Sequence, residues 1–349
     1  MTPRILTGDT PTGRLHLGHY VGSLENRIRL QRDHACYLLI ANIHAFTTRA
    51  AHPDDIRRDT LEIVRDELAA GIDPERATFV VQSEIPAIAE LTVLLAMLIP
   101  YSRVMRNPTL KAEIHGKQLA DRYSFGFPLY AVGQCADILA FRAHVVPVGE
   151  DQTPHVEMTR EVARRFGQLY CGVAPETADV DHERAGNIFP IPQPLIGRVA
   201  RLPGIDGVEK MSKSRGNAIY LSDSTDEIRN KLARLYTGRQ SPTEPGDPDN
   251  ALFQYVRAFI PDRDRVRELA TRYARGDDLG DGAIKAEVAA AIDALVAPMR
   301  ERRAGITDAA VLEILREHTR RANAVADDTL ARVKAAMRLD FGPRRLASE

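Results

Sequence analysis

The chain of 349 residues has no tryptophan, only three cysteines and almost no net charge, with 47 Lys and Arg against 48 Asp and Glu. Each scarcity excludes something. Cys36, Cys135 and Cys171 are far apart and form no C-x-x-C pair, so neither a disulfide framework nor a zinc or iron–sulfur site is expected. Reduced thiols of this kind point to the cytoplasm. A formal charge of −1 rules out a generally cationic coat, so a nucleic-acid partner would have to be met by a local patch of Lys and Arg. The longest apolar run, around Leu91 to Tyr101, falls well short of the ~20 residues that span a bilayer, and no membrane partner is expected. Met1-Thr2-Pro3-Arg4 leads into an apolar strand without a signal-peptide pattern. The missing tryptophan carries no functional reading, but it leaves the chain without indole fluorescence.

What is present is ordinary for a globular enzyme, 44% apolar and 27% charged, and long enough for two domains. Short apolar runs at Ile5-Leu6-Thr7, Cys36 to Ala41, Thr78 to Val81 and Val145 to Val148 read as buried strands. Helical spacing separates them: His16 to Arg32, Pro53 to Ala70 with Gly71 as its stop, Ile85 to Ile99, Phe127 to Phe141, and then Thr153 to Gln168. Strands alternating with helices predict an α/β, doubly wound parallel sheet. Residues 186–209 read as irregular, and beyond Ser222 only helices are expected, one of them N-capped by Thr307. The predicted division is a Rossmann-like catalytic domain over 1–222, with a helical insertion at about 85–143, and a helical C-terminal domain over 223–349.

Two stretches carry chemistry. Gly8-Asp9-Thr10-Pro11-Thr12-Gly13 follows the first strand and leads to His16-Leu17-Gly18-His19. A Gly-bounded loop entering a helix N-terminus offers backbone N–H groups to a phosphate, and the two imidazoles share a helix face. An isolated pair of this kind also fits two surface histidines, and no Walker lysine motif is present. The second stretch is Lys210-Met211-Ser212-Lys213-Ser214. Two long ammonium stems can follow charge that grows on a departing pyrophosphate, although a short basic run is ordinarily a solvated loop.

Taken together, the two stretches resemble the paired signatures of class I aminoacyl-tRNA synthetases, the second in all five residues. Ala136-Asp137-Ile138-Leu139, Val146 to Gln152 and His155, with the opening Gly8 to Tyr20, resemble the tryptophan-specific branch over about residues 4–338. The tyrosine-specific branch is its nearest relative. The resemblance implies catalytic roles for His16, His19, Lys210 and Lys213. It implies ATP contacts from Thr10, Pro11, Thr12, Gly18, His19, Gly149, Glu150, Asp151, Leu202, Lys210, Met211, Ser212, Lys213 and Ser214. Asp137 would accept the indole N–H, Tyr130 and Gln152 would hold the amino group, and His44 would lie near the carboxylate. Gln134 and Leu6 would shape the pocket, and Lys111 would assist the pyrophosphate. ATP with Mg²⁺ is the implied substrate, with no protein metal site, and tRNA(Trp), L-tryptophan and a second copy of the chain are the implied partners.

Gln134, Leu6 and Thr10 depart from the common bacterial pattern, as does Arg215-Gly216-Asn217 after the lysines, which suggests a divergent or second-copy form. Arg316, Arg320, Arg321, Arg332, Lys334, Arg338, Arg344 and Arg345 form a C-terminal excess suited to tRNA phosphates, and equally to solvated helix faces. Two rivals stay open here. One is a tyrosine-specific enzyme, since Gln134 beside Asp137 offers a phenol both donor and acceptor. The other is a paralogue that binds tryptophan and ATP in a regulatory role.

Overall fold

In the computed structural model, which describes residues 2–116, 119, 122–197, 199, 202–213 and 215–341, the four expected strands form at β1 (Arg4–Asp9), β2 (Ala35–Ile40), β3 (Ala77–Val81) and β4 (Val145–Val148). A fifth, β5 (Gln193–Ile196), lies inside the stretch read as irregular. Its sequence Gln-Pro-Leu-Ile has too little alternation to signal a strand, and Pro194 is tolerated because β5 sits at the sheet edge. All neighbours pair in parallel, in the order β3-β2-β1-β4-β5. The order reverses beside β1, so the crevice at the carboxyl ends of β1 and β4 is the switch point where this class of sheet binds ligands. The doubly wound α/β class is therefore the observed one.

Strand periodicity sends alternate residues to two cores. Ile5, Cys36, Leu38, Ile40, Ala77 and Phe79 face one layer of helices, including Pro53–Ala70, Thr225–Ala233, Ala251–Phe259 and Asp281–Ala304. Leu6, Leu39, Val80 and Val146 face the other, built from Pro86–Ala96, Gly126–Ala140 and Thr153–Tyr170. Helices Pro86–Ala96 and Gly126–Ala140 lie between β3 and β4 in sequence. The helix Pro53–Ala70 has Pro53 in its first turn, Asp54 and Asp55 favourably placed at its positive end, and left-handed Gly71 at its stop. Among the described residues no strand follows residue 222, and no helix is long and apolar enough to cross a membrane.

The helix expected from His16 to Arg32 is broken into Leu17–His19, a π-turn at Tyr20–Leu24, and Glu25–Leu30. Such π-turns recur at functional sites, and hydrophobic spacing alone does not reveal them. The last helix, Asp308–Ala336, is capped by the Thr307 side chain, which accepts from Ala310 N at 3.2 Å. It covers the β3 edge of the sheet, where Phe79 N donates to Nδ1 of buried His318 at 2.9 Å. Burial, then nearby Arg321, lowers the His318 imidazole to about 4, so it accepts as a neutral ring.

That contact predicts a pH-dependent loss. His318→Ala would leave the buried Phe79 N–H without an acceptor, at a cost of ~1–3 kcal/mol. Because the folded-state affinity for a proton is depressed, the stability from this group is complete above pH 6.5 and is lost as pH falls toward 4. The gap in urea midpoint between wild type and variant should therefore narrow over that range; a constant gap would refute the assignment.

Candidate active site

The first loop leaves β1 and is held from below. Leu15 N donates to Asp66 Oδ2 at 2.7 Å, and Arg303 Nε meets the other oxygen of Asp66 at 2.6 Å. Arg27, itself buried, binds Asp9 at 2.5 Å and also Glu67. Arg49 reaches the Pro11 carbonyl and pairs with Asp59 at 2.8 Å. Pro11 is buried, while Thr10 and Thr12 are exposed at the mouth of the crevice.

His16 N donates to His19 Nδ1 at 3.2 Å, and the two rings lie 3.7 Å apart. A Cβ at Gly18 would meet the His16 ring at 3.0 Å, so the ring resting on this glycine is the chain's own imidazole. Burial is the main force lowering both histidines far below the ordinary imidazole range; Lys213 and Lys210 add to it. Both rings are neutral hydrogen-bonding groups near pH 7. His16 Nδ1 is buried without a hydrogen-bond partner.

The lysine loop closes over this loop. Lys213 Nζ donates to the Gly13 carbonyl at 2.6 Å and to Thr12 Oγ1 at 3.1 Å. Lys210 Nζ pairs with Asp151 Oδ2 at 3.0 Å. Burial lowers the Lys213 amine to about 8, against the pull of Asp9, Asp59 and Asp66. The loop is knotted by Asn217, whose Oδ1 accepts from Ser212 N at 2.7 Å and whose Nδ2 donates to Asp206 at 2.6 Å. Met211 is buried in the first core, and its N–H donates to the Leu202 carbonyl at 3.0 Å. Leu17 N to Ile219 O at 2.9 Å and Leu221 N to Leu15 O at 3.0 Å stitch both loops together. Ser214 lies outside the described residues.

A second group of residues lies behind. Asp137, 1% exposed, sits on helix Gly126–Ala140, which is buried on nearly all sides. Gln82 Nε2 donates to Asp137 Oδ1 and Oδ2 at 2.8 and 3.0 Å, and His44 Nδ1 is 3.7 Å from Oδ2. A Cβ at Gly133 would meet His44 Nε2 at 2.7 Å, so this glycine, one turn before Asp137, makes room for the ring. Burial raises Asp137 to about 8 and lowers His44 to about 4, so the two do not form an ordinary ion pair. Tyr130 OH donates to Glu113 at 3.0 Å and lies 3.4 Å from Nε2 of buried His155. Leu6 is buried on the same side of the sheet, and Gln134 is partly buried one turn from Tyr130.

Between the two groups lies a cavity of about 410 Å³ lined by Thr109, Glu113, Glu150, Asp151 and Pro154. Gly149 caps the short turn Glu150–Gln152, and Gln152 Nε2 reaches only Asp151, at 3.4 Å. Lys111 is exposed on helix Pro108–Gly116, whose Thr109 donates to the Asp151 carbonyl at 2.6 Å, and Arg103 is occupied by Glu161 at 2.7 Å. Of the C-terminal cations, Arg316, Arg321 and Arg332 pair with acids on their own helix, and Lys334 pairs with Glu90. Arg344 and Arg345 lie outside the described residues. Gln82, Glu113 and Asp66 were not singled out from sequence, and Asn217 stood out only as part of a departure from the common pattern. For Gln82 a signal existed: it follows directly on β3, at the ligand-binding end of the sheet.

The chain matches the family model described as tRNA synthetases class I (W and Y) over residues 1–297. It is 41% identical over 346 residues to the tryptophan–tRNA ligase of Clostridium longisporum, covering 97% of each chain. It is 42% identical over 347 residues to that of Treponema pallidum, covering 97% of this chain and 98% of the relative. Its fold is similar, with a TM-score of 0.77 and 28% identity, to tryptophanyl-tRNA synthetase from Campylobacter jejuni complexed with ADP and tryptophan, covering 96% and 99% of the two chains.

The lowered Lys213 amine gives a direct chemical check. Acetylation of Lys213 by acetic anhydride, read by peptide mass, should rise with a midpoint near pH 8. A midpoint above about 10 would place the amine in open water instead.

Proposed function

The chain belongs to the class I tRNA synthetases for tryptophan and tyrosine, and on that premise we propose that it works as a tryptophan–tRNA ligase through the two loops and the Asp137 pocket just described. One carboxylate oxygen of L-tryptophan attacks the α-phosphorus of ATP. The bond to the bridging oxygen breaks, and pyrophosphate leaves with the electron pair. A hydroxyl of the terminal ribose of tRNA(Trp) then attacks the adenylate carbonyl, and AMP departs. No covalent enzyme intermediate is needed.

The single observation that carries the reading is the meeting of the two signature loops, with Lys213 Nζ on the Gly13 carbonyl at 2.6 Å. In this reading Lys210 and Lys213 exchange their internal oxygens for phosphate oxygens and follow the charge onto pyrophosphate. His16 and His19, kept neutral, donate hydrogen bonds without adding fixed charge. Thr10, Pro11, Thr12 and Gly18 line the nucleotide's path, and Gly149, Glu150 and Asp151 face its ribose and base. The Leu202 carbonyl is engaged by Met211, which leaves that residue's other backbone edge for adenine. Lys111 would meet the outer phosphates.

Asp137 accepts the indole N–H, a group with one donor and no acceptor. Tyr130, Gln152 and His44 hold the amino and carboxylate ends. In this reading Mg²⁺ enters with the nucleotide substrate. The division at residue 222, with the helices beyond it reading tRNA(Trp), is part of the same proposal, as is a cytoplasmic setting. A homodimer is supported by Val93, Met97, Tyr101 and Phe125, large apolar side chains exposed on and between the helices of residues 86–140.

Amino-acid-dependent ATP–pyrophosphate exchange tests this directly. Exchange is expected with tryptophan and not with tyrosine; exchange with tyrosine alone would sink the reading. Asp137→Ala should lower kcat/KM for tryptophan by at least about 100-fold, because the indole N–H loses its buried partner. Since the chain contains no tryptophan, ligand indole fluorescence reports binding without protein background.

A further inference from the structure

We propose that Gln82 is a positioning residue for amino-acid selection: it presents the Asp137 carboxylate as an acceptor for the single N–H of an indole and keeps no N–H of its own for a phenol. The inference rests on the assignment of Asp137 to the indole. Gln82 is 2% exposed and stands at the carboxyl end of β3.

Its orientation is dictated by backbone. Oε1 accepts from Ile43 N at 3.1 Å and from His44 N at 3.3 Å. Reversing the amide would set its N–H groups against two backbone donors and its oxygen against a carboxylate. With Oε1 fixed, Nε2 must face Asp137, and it donates to both carboxylate oxygens at 2.8 and 3.0 Å. The other N–H of Nε2 meets His44 Nε2 at 3.0 Å. A neutral His44 that accepts there carries its proton on Nδ1, 3.7 Å from Asp137, too far for a short hydrogen bond.

Two consequences follow for a ligand. Each carboxylate oxygen retains a lone pair, so a donor-only ring finds an acceptor. Both N–H groups of Gln82 are already committed, so a phenol oxygen placed at Asp137 would donate its proton and receive none from Gln82.

The electrostatics support the same role. Among the described residues, the titratable groups facing Asp137 are His44 from helix Asn42–Arg49 and Cys135 from its own helix, with Tyr130 and His155 packed behind His44. His44 and His155, both lowered to about 4 chiefly by burial, are neutral at pH 7. Tyr130 and Cys135, both raised chiefly by burial, keep their protons. No cation in this group balances Asp137. Burial raises it to about 8, and the Gln82 amide is what opposes that rise. Without the amide the carboxyl takes a proton more readily, and a protonated carboxyl donates toward a ring that also donates.

The test is tryptophan-dependent ATP–pyrophosphate exchange from pH 6 to 9.5 with wild type, Gln82→Leu, Gln82→Met and Asp137→Asn. Gln82→Leu should raise KM for tryptophan about 10-fold at pH 7, the size of one hydrogen bond to a charged group, with kcat little changed. The gap should close as pH rises and Asp137 ionises without help, while Asp137→Asn stays impaired at every pH. Gln82→Met, which keeps length and volume, guards against a folding failure of the leucine variant and should behave alike. A KM penalty that does not vary with pH, or no penalty in both Gln82 variants while Asp137→Asn is impaired, overturns the Gln82 role alone. No tryptophan-dependent exchange in the wild type overturns the Asp137 assignment with it.

Discussion

One carboxylate, Asp66, holds the two halves of the molecule in register. Buried under the first loop, it accepts the Leu15 N–H on one oxygen and the Arg303 guanidinium on the other. Leu15 in turn accepts from Leu221, and Leu17 donates to Ile219, just past the lysine loop. A chain of short polar contacts thus runs from helix Asp281–Ala304 through helix Pro53–Ala70 to both signature loops. Removing Arg303 would leave the buried Asp66 carboxylate with only the Leu15 N–H, whereas Arg303 also has Glu62 to pair with. The loops are placed by this contact as much as by the strands they leave.

Burial governs the chemistry of the site more than any charge pair. It keeps His16, His19, His44 and His155 neutral, draws the Lys213 amine down to about 8 and lifts Asp137 to about 8. The imidazoles therefore add no positive charge to a crevice lined by Glu113, Glu150 and Asp151, and the lysine loop brings Lys210 and Lys213 to it. In a poorly screened region, a cation placed where negative charge develops counts for more than the same cation in water.

Much of this architecture was legible in the residues. β1 to β4 announced themselves as short apolar runs. Helix Pro53–Ala70 was bounded by its own proline and glycine, and Thr307 marked the start of the last helix. The reaction class was legible because two spaced motifs met in one fold. What escaped notice has physical reasons. β5 is an edge strand whose proline reads as a breaker, and the π-turn after His19 leaves no trace in hydrophobic spacing. Asp137 is legible as a charge within the apolar run Cys135 to Phe141, but its partner Gln82 is uncharged, lies outside any periodic pattern and acts across 55 positions of sequence. Asn217 looked like a departure from pattern, yet its side chain is what knots the lysine loop.

The treatment of the two outer strands has a consequence for assembly. β3 at one end has the Phe79 N–H turned away from its neighbour and already spent on His318, beneath a 29-residue helix. β5 at the other end carries Pro194, which has no N–H to offer. A bare outer strand is a template that invites another chain to extend the ladder, and here both are blunted by different devices. Among the described residues these two devices oppose a continuous sheet between copies of the chain. Any self-association would favour side-chain packing between helices, where geometry can be specific, over backbone pairing, which has no natural end point.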